Sequence, residues 1–154
     1  LQGLPALWTH GDWHASNLFW NSSGANARVL SVLDFGLADR NFALFDLATA
    51  IERNAIGWLD LDEGRDAEVH QDQIDALLAG YASVLEFDAE ALAAFLPLVH
   101  ADFALSEVEY FHGIVGSAEN TAVAYERYLL GHAQWFASDR GAHLCEHIIG
   151  RGGL

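Results

Sequence analysis

Hydrophobic and polar positions change their rhythm near residue 43. Before it, apolar residues come in short runs broken by turn chemistry. Asn17-Leu18-Phe19-Trp20 reads as one short strand, Asn21 to Asn26 as a turn, and Val29 to Leu33 as a second strand rich in β-formers. The two predict a hairpin, with one loop before it (His10 to Ser16) and another after it (Asp34 to Asn41). From Leu44 the spacing becomes helical. Leu44 to Trp58 predicts a first helix. Ile74, Leu77, Leu78 and Tyr81 fall on one face of a second. Leu92, Phe95, Leu96 and Val99 repeat that spacing behind an Asp88 N-cap, and Pro97 is expected to kink or divide that helix. Tyr125, Tyr128, Leu129 and His132 mark a later helix started by Ser117, and the acidic stretch 60–70 reads as a solvated loop.

Composition narrows the function. The 154 residues fit one domain, and 52% of them are hydrophobic, enough to build a core. A formal charge of −15 sets the chain against nucleic acid and anionic membrane, both polyanions. No unbroken apolar run approaches the length of a membrane span. The single cysteine, Cys145, excludes an internal disulfide and suits a reducing cytosol, so a cytoplasmic location is expected. The seven basic residues are all arginine. The chain begins Leu1-Gln2-Gly3 with no signal-peptide pattern and contains no methionine, so it is expected to be a fragment or a trimmed chain.

The chemistry is concentrated in His10-Gly11-Asp12-Trp13-His14-Ala15-Ser16-Asn17, whose skeleton is H-x-D-x-x-x-x-N. In kinases that skeleton supplies an Asp that takes the substrate hydroxyl proton and an Asn that holds a metal. Asp34-Phe35-Gly36 begins seventeen residues after Asn17, beyond the hairpin, and a D-F-G triplet places an Asp on Mg²⁺. The spacing suits phosphoryl transfer. Asp12 can face the acceptor while Asn17, five residues on, faces a metal, and the hairpin returns Asp34 to the same ion.

These motifs resemble the H-G-D-x-H-x-x-N signature of the aminoglycoside phosphotransferase, choline kinase and homoserine kinase group. Gly11 stands where protein kinases usually carry arginine. Asp46-Leu47-Ala48, twelve residues after Asp34, is similar to the Asp-Leu-Ala that opens a helix in that group. Ala15-Ser16 departs from the group's frequent Pro-Gly, and Trp13 from its usual Leu.

The resemblance implies an α+β, mainly α-helical fold: the C-terminal lobe of a protein-kinase-like enzyme, with a small β-hairpin carrying the catalytic and metal loops. Residues 1–43 would hold those loops, and residues 44–154 would form the helical part. The glycine-rich phosphate loop and strand lysine of an ATP-clamping N-terminal lobe are absent from this sequence. The implied reaction transfers the γ-phosphate of ATP, or GTP, to a hydroxyl of a small molecule. Asp12 would be the catalytic base, and Asn17 and Asp34 would hold Mg²⁺. His10 and Asp46 would brace the catalytic loop, and His14 would brace it or act directly. Asp39 and Arg40 would form a surface ion pair or touch substrate or phosphate.

The acidic surface, at 60–68, 86–90, Asp102, Glu107 and Glu109, either solubilises the domain or attracts a cationic acceptor. Two other classes stay open: a non-catalytic kinase-like interaction domain, and a metal-dependent hydrolase built on His10, Asp12, His14 and Asp34. His143-Leu144-Cys145-Glu146-His147 matches the H-x-x-E-H zinc motif, but the downstream third ligand of that class is missing. Its ordinary reading is a polar terminal helix.

Overall fold

The computed structural model describes residues 5–152. Strands are confined to the first 42 residues, and helices follow from Phe45. The expected hairpin forms from β2 (Leu18–Trp20) and β3 (Val29–Val32), with a register shift at Phe19/Trp20. Asn21 closes its turn: the Asn21 side chain accepts from the Arg28 amide at 2.8 Å, and its own amide donates back to the Arg28 carbonyl.

A second ladder corrects the sequence reading. Asp39–Phe42, inside the stretch expected to be loop up to Asn41, is a strand (β4). It pairs antiparallel with β1 (Ala6–Thr9), Ala6 opposite Phe42 and Thr9 opposite Asp39. Asp39-Arg40-Asn41 carries no β-forming signal. What makes it a strand is the edge of β1, which satisfies its backbone groups. The consequence for the site is direct: β1 delivers His10 to the point where the chain returns along β4.

Helix α1 (Phe45–Ala55) buries Leu47, Ala48, Ile51 and Ala55. It stops earlier than the expected Trp58. Ile56 turns to extended backbone and bridges Val69, and Trp58 opens a separate short helix, α2 (Trp58–Asp62). The stretch 60–70 is therefore not simply a solvated loop, since Ala67 is fully buried within it. Helix α3 (Gln71–Ala82) presents the expected face, with Ile74 and Leu78 fully buried.

Helix α4 (Ala89–Glu109) is the centre of the molecule, packed against α1, the Ala124–Gly131 segment and α7 (Asp139–Ile149). Asp88 caps it, accepting from the Ala91 amide at 3.0 Å. Pro97 does not divide it. The ring removes the bond that the Ala93 carbonyl would otherwise accept. The Cys145 thiol, on α7, donates to that carbonyl instead at 3.6 Å. Burial pushes the Cys145 thiol above its ordinary value, so it serves as a packed weak donor rather than a nucleophile. The face formed by Leu92, Leu96, Leu144 and Ile148 is fully or almost fully buried, each such side chain contributing about 1.5–3 kcal/mol.

Two π-helical stretches follow, Tyr110–Val115 and Ala124–Gly131. Between them, Ser117 caps α5 (Ala118–Val123), as its position suggested. The face Tyr125, Tyr128, Leu129 falls mainly on the second π stretch, which runs into α6 (His132–Phe136). The continuous helical run Ala89–Val115 has a mean hydropathy of 1.4 and is long and apolar enough, by length and composition, to cross a membrane. Here it packs among the other helices, with 39% of its most apolar window buried.

Candidate active site

The loop His10–Asn17 lies between β1 and β2 and is tied down at three places. Asp46, in the first turn of α1, accepts the His10 amide at 2.7 Å and the Gly11 amide at 3.0 Å. A carboxylate taking two backbone N–H groups is a charge-assisted clamp. His10 is buried, and its ring is oriented from both sides. Nδ1 accepts from the Asp12 amide at 3.3 Å, leaving Nε2 to donate to the Leu33 carbonyl at 2.7 Å. The ring also lies edge-on to Trp13 and against Phe35, with centroids 5.5 and 4.8 Å away.

The third tie was not legible in the sequence. Asn54, two turns along α1 from Asp46, accepts the Ala15 amide at 2.8 Å while its own amide donates to the Ala50 carbonyl at 2.6 Å. The one available signal was a carboxamide on the same helix as Asp46, where a loop-facing polar group needs a partner.

Gly11 is fixed by close approach. Its φ is +85°, and a Cβ there would lie 2.2 Å from the Leu37 carbonyl oxygen. Only glycine lets the loop pass so near the segment after Asp34. Gly11→Ala is expected to destabilise the chain by about 1–3 kcal/mol and displace the loop. A thermal melt unchanged from wild type would contradict this packing.

Asp12 sits at the mouth of the loop with its side chain 23% exposed. Its Oδ2 accepts from His14 Nε2 at 3.2 Å and from Asn17 Nδ2 at 3.1 Å. His14 Nδ1 accepts in turn from the Ser16 hydroxyl at 2.6 Å. Asn17 also donates to the Asp12 carbonyl at 3.0 Å, so its amide nitrogen is committed to Asp12 and its Oδ1 is left for another partner.

The segment carrying Asp34 is stitched to the same loop. The Leu33 amide donates to the Asn17 carbonyl at 2.8 Å, and the Leu33 carbonyl receives His10. Asp34, the next residue, is exposed and has φ +57°, the only left-handed non-glycine among the described residues. Its Oδ1 accepts the Gly36 amide at 3.4 Å. A carboxylate held in that conformation beside a loop such as His10–Asn17 is the kind of local strain found at functional sites.

Asp39 and Arg40 stand on β4. The Arg40 amide donates to Asp39 Oδ1, and its guanidinium reaches the Ala6 carbonyl at 3.5 Å. They belong to the β1–β4 edge. His143 and His147 of the terminal helix bond Asp139 and Asp75, and no group of three or more His, Cys, Asp or Glu that could hold a metal occurs among the described residues.

One cavity opens from the loop towards the helices, and a second shares part of its wall. The first, of about 250 Å³, is lined by Gly11, Asp12, Leu37, Asp102 and Tyr110 among others. A larger one, of about 690 Å³, lies between α1, α2, α4 and the second π stretch, with Trp58, Asp60, His100 and His132 in its wall. Glu52, Arg53, Phe103 and Glu107 line both. Of the acidic positions singled out in the sequence, Asp60, Asp102 and Glu107 therefore face cavities. Asp60 and Glu63 also pair with Arg65, Asp66 pairs with Arg140 at 2.6 Å, and Asp88 caps α4.

The ordered set of H-G-D loop, hairpin, D-F-G segment and D-L-A helix, on a mainly helical frame with small sheets, is that of a phosphotransferase. The model of the phosphotransferase enzyme family matches residues 1–87, more than half of the chain, and the chain belongs to that family. No curated protein and no solved structure matches it. The match ends before α4, so the loop residues and α1 lie inside it, while His100, Phe103, Glu107, Tyr128 and His132 lie beyond it.

Proposed function

We propose that this chain is the acceptor-side, C-terminal lobe of an ATP- or GTP-dependent phosphotransferase that phosphorylates a hydroxyl of a small molecule. The observation that carries the reading is the Asp12 carboxylate, partly exposed above a cavity and oriented by His14 and Asn17 on a loop clamped by Asp46. A carboxylate so held can accept a hydroxyl proton without reorganising, which is how positioning and electrostatics lower the barrier to phosphoryl transfer. His10, Asp46 and Asn54 act through the loop backbone. His14 fixes the Asp12 carboxylate.

The donor set fits Mg²⁺. Asn17 Oδ1 and the Asp34 carboxylate are hard oxygen ligands, and two protein ligands suffice for an ion that completes its shell with water and phosphates. When bound, Mg²⁺ would neutralise charge on the transferred phosphoryl group. The chain's own part is to present those oxygens. The reading also accounts for the exposed apolar side chains near the loops. Phe19, Leu30, Phe35 and Leu37 stand 57–64% exposed on the strands and loops around Asp12 and Asp34, where a nucleotide base and a nucleotide-clamping lobe would cover them. The acceptor is cationic in this reading, since Asp102 and Glu107 face the cavity beside Asp12. A cytoplasmic location goes with an ATP-dependent reaction.

The test is transfer of radiolabelled γ-phosphate to a panel of hydroxyl acceptors. Residues 1–154 alone are expected to show no turnover, because no lysine is present to hold the phosphates. The full-length enzyme is expected to show Mg²⁺-dependent transfer. Turnover by residues 1–154 would refute the half-enzyme reading. Nucleotide binding without transfer in the full-length protein would point to a degenerate, non-catalytic domain.

A further inference from the structure

Ala15–Asn17 is a single 3₁₀ turn, closed by the Asn17 amide donating to the His14 carbonyl at 3.0 Å. The amide at the start of such a turn has no partner within it. Asn54 Oδ1 is that partner for Ala15, at 2.8 Å. The Ala15 carbonyl accepts from the Leu18 amide and from the Trp20 indole at 3.4 Å, so the residue is held at both its amide and its carbonyl.

Only a carboxamide satisfies every partner of position 54. Its oxygen meets a donor, while its nitrogen meets two acceptors, the Ala50 carbonyl at 2.6 Å and the Trp13 carbonyl at 3.5 Å. A carboxylate would turn an oxygen on those two carbonyls, and an apolar side chain would leave the Ala15 amide without its bond. The turn so fixed carries Asn17 at its end. The Asn17 side-chain nitrogen is bound to the Asp12 carbonyl and carboxylate, at 3.0 and 3.1 Å, so the direction of its Oδ1 follows from the placement of the turn.

We infer that Asn54 is a positioning residue for the metal: by holding the Ala15 amide it fixes the turn that presents Asn17 Oδ1, and so sets the affinity of the Asn17 and Asp34 pair for a divalent cation. Naming Asn17 a metal ligand rests on the phosphotransferase reading; the bond from Asn54 to the loop does not. The backbone offers a way to show that Asn54 works through the Ala15 amide. His14 is extended, with φ −139° and ψ 162°, the conformation that a following proline requires. Ala15 opens the turn, where the fixed φ of proline suits the 3₁₀ backbone. Ala15→Pro therefore removes the N–H that Asn54 satisfies and stiffens the turn at the same point. Its ring carbon takes the place of the amide hydrogen and runs into Asn54 Oδ1, so it helps only where Asn54 has been shortened. A hollow of about 220 Å³, lined by Trp13, Ala15, Asn54 and Leu77 among others, has room for the ring once that side chain is cut back.

The experiment is titration of residues 1–154 with Mn²⁺, without nucleotide, read from paramagnetic broadening of the Asn17 side-chain amide and the Asp34 backbone amide in ¹H–¹⁵N spectra, with a thermal melt of every variant. Wild type is expected to bind, and Asn54→Ala to weaken binding by about tenfold or more, the range seen when a group that orients a metal ligand is removed. Ala15→Pro alone is expected to weaken it too. Ala15→Pro combined with Asn54→Ala is expected to return to within about twofold of wild type, a non-additivity that marks the two positions as one unit. If Asn54→Ala fails to melt cooperatively, Asn54→Ser, which keeps a bond to the Ala50 carbonyl, is read in its place. Unchanged Mn²⁺ affinity in the Asn54 variant, or a combined variant no better than Asn54→Ala, would overturn the assignment and leave the metal reading standing. Absence of broadening at both residues in wild type would overturn the metal pair and this assignment together.

Discussion

In the full-length enzyme, Asp12→Ala is expected to lower turnover by about 10²–10⁴-fold, the range a positioned general base supplies. The fold should survive. The loop Asp12 sits on is anchored elsewhere: by Asp46 on the His10 and Gly11 amides, by Asn54 on the Ala15 amide, and by His10 on the Leu33 carbonyl. The variant frees His14 Nε2, which can turn to water, while Asn17 Nδ2 keeps its bond to the backbone carbonyl of residue 12. A melting temperature close to wild type with turnover lost would therefore assign the effect to the carboxylate. Asp12→Asn sharpens the case, because it keeps the shape but cannot accept a proton. Near-normal turnover in either variant would remove Asp12 from the chemistry and leave the cavity beside it without a base.

The comparison of sequence with structure follows from how local each feature is. The loop, the hairpin and the helical faces of α3 and α4 are written in neighbouring residues, through turn chemistry, N-caps and the spacing of apolar positions, and these were legible. Residues brought together over a distance were not. Asp39-Arg40-Asn41 becomes a strand only because β1 lies beside it. Helix α1 ends at Ala55 because Ile56 finds Val69, thirteen residues on. Pro97 is tolerated in mid-helix because Cys145, from the far end of the chain, supplies a donor for the carbonyl its ring strands. The same divide runs through the site. Asp12, Asn17 and Asp34 are spaced by a motif, whereas Glu52, His100 and His132 lie 48 and 32 residues apart and are joined only by the packing of α1, α4 and the π stretch. A family motif names the residues that perform a shared step. Residues joined only by long-range packing have no such signature.

Asp34 carries two roles that its variants can separate. Its φ of +57° is a conformation that costs most side chains about 1–2 kcal/mol, one that Asn and Asp tolerate better and Gly adopts freely. Its carboxylate is also the charged member of the proposed Mg²⁺ pair. Asp34→Ala loses both properties, so it should abolish transfer and slightly lower the melting temperature. Asp34→Gly removes the strain and the ligand together. It is expected to melt at or above the wild-type temperature, since the hydrogen bond it gives up, to Gly36 at 3.4 Å, is weak, yet to be as inactive as the alanine variant. Asp34→Asn keeps the backbone preference and one oxygen but not the charge. It should fold like wild type, lose turnover by a hundredfold or more, and regain part of it as Mg²⁺ is raised, because a weakened hard-oxygen site can be refilled by mass action. A glycine variant that retains activity would show that the left-handed turn, and not the carboxylate, is what the enzyme needs from this position. An asparagine variant indifferent to Mg²⁺ would move the metal away from Asp34 altogether.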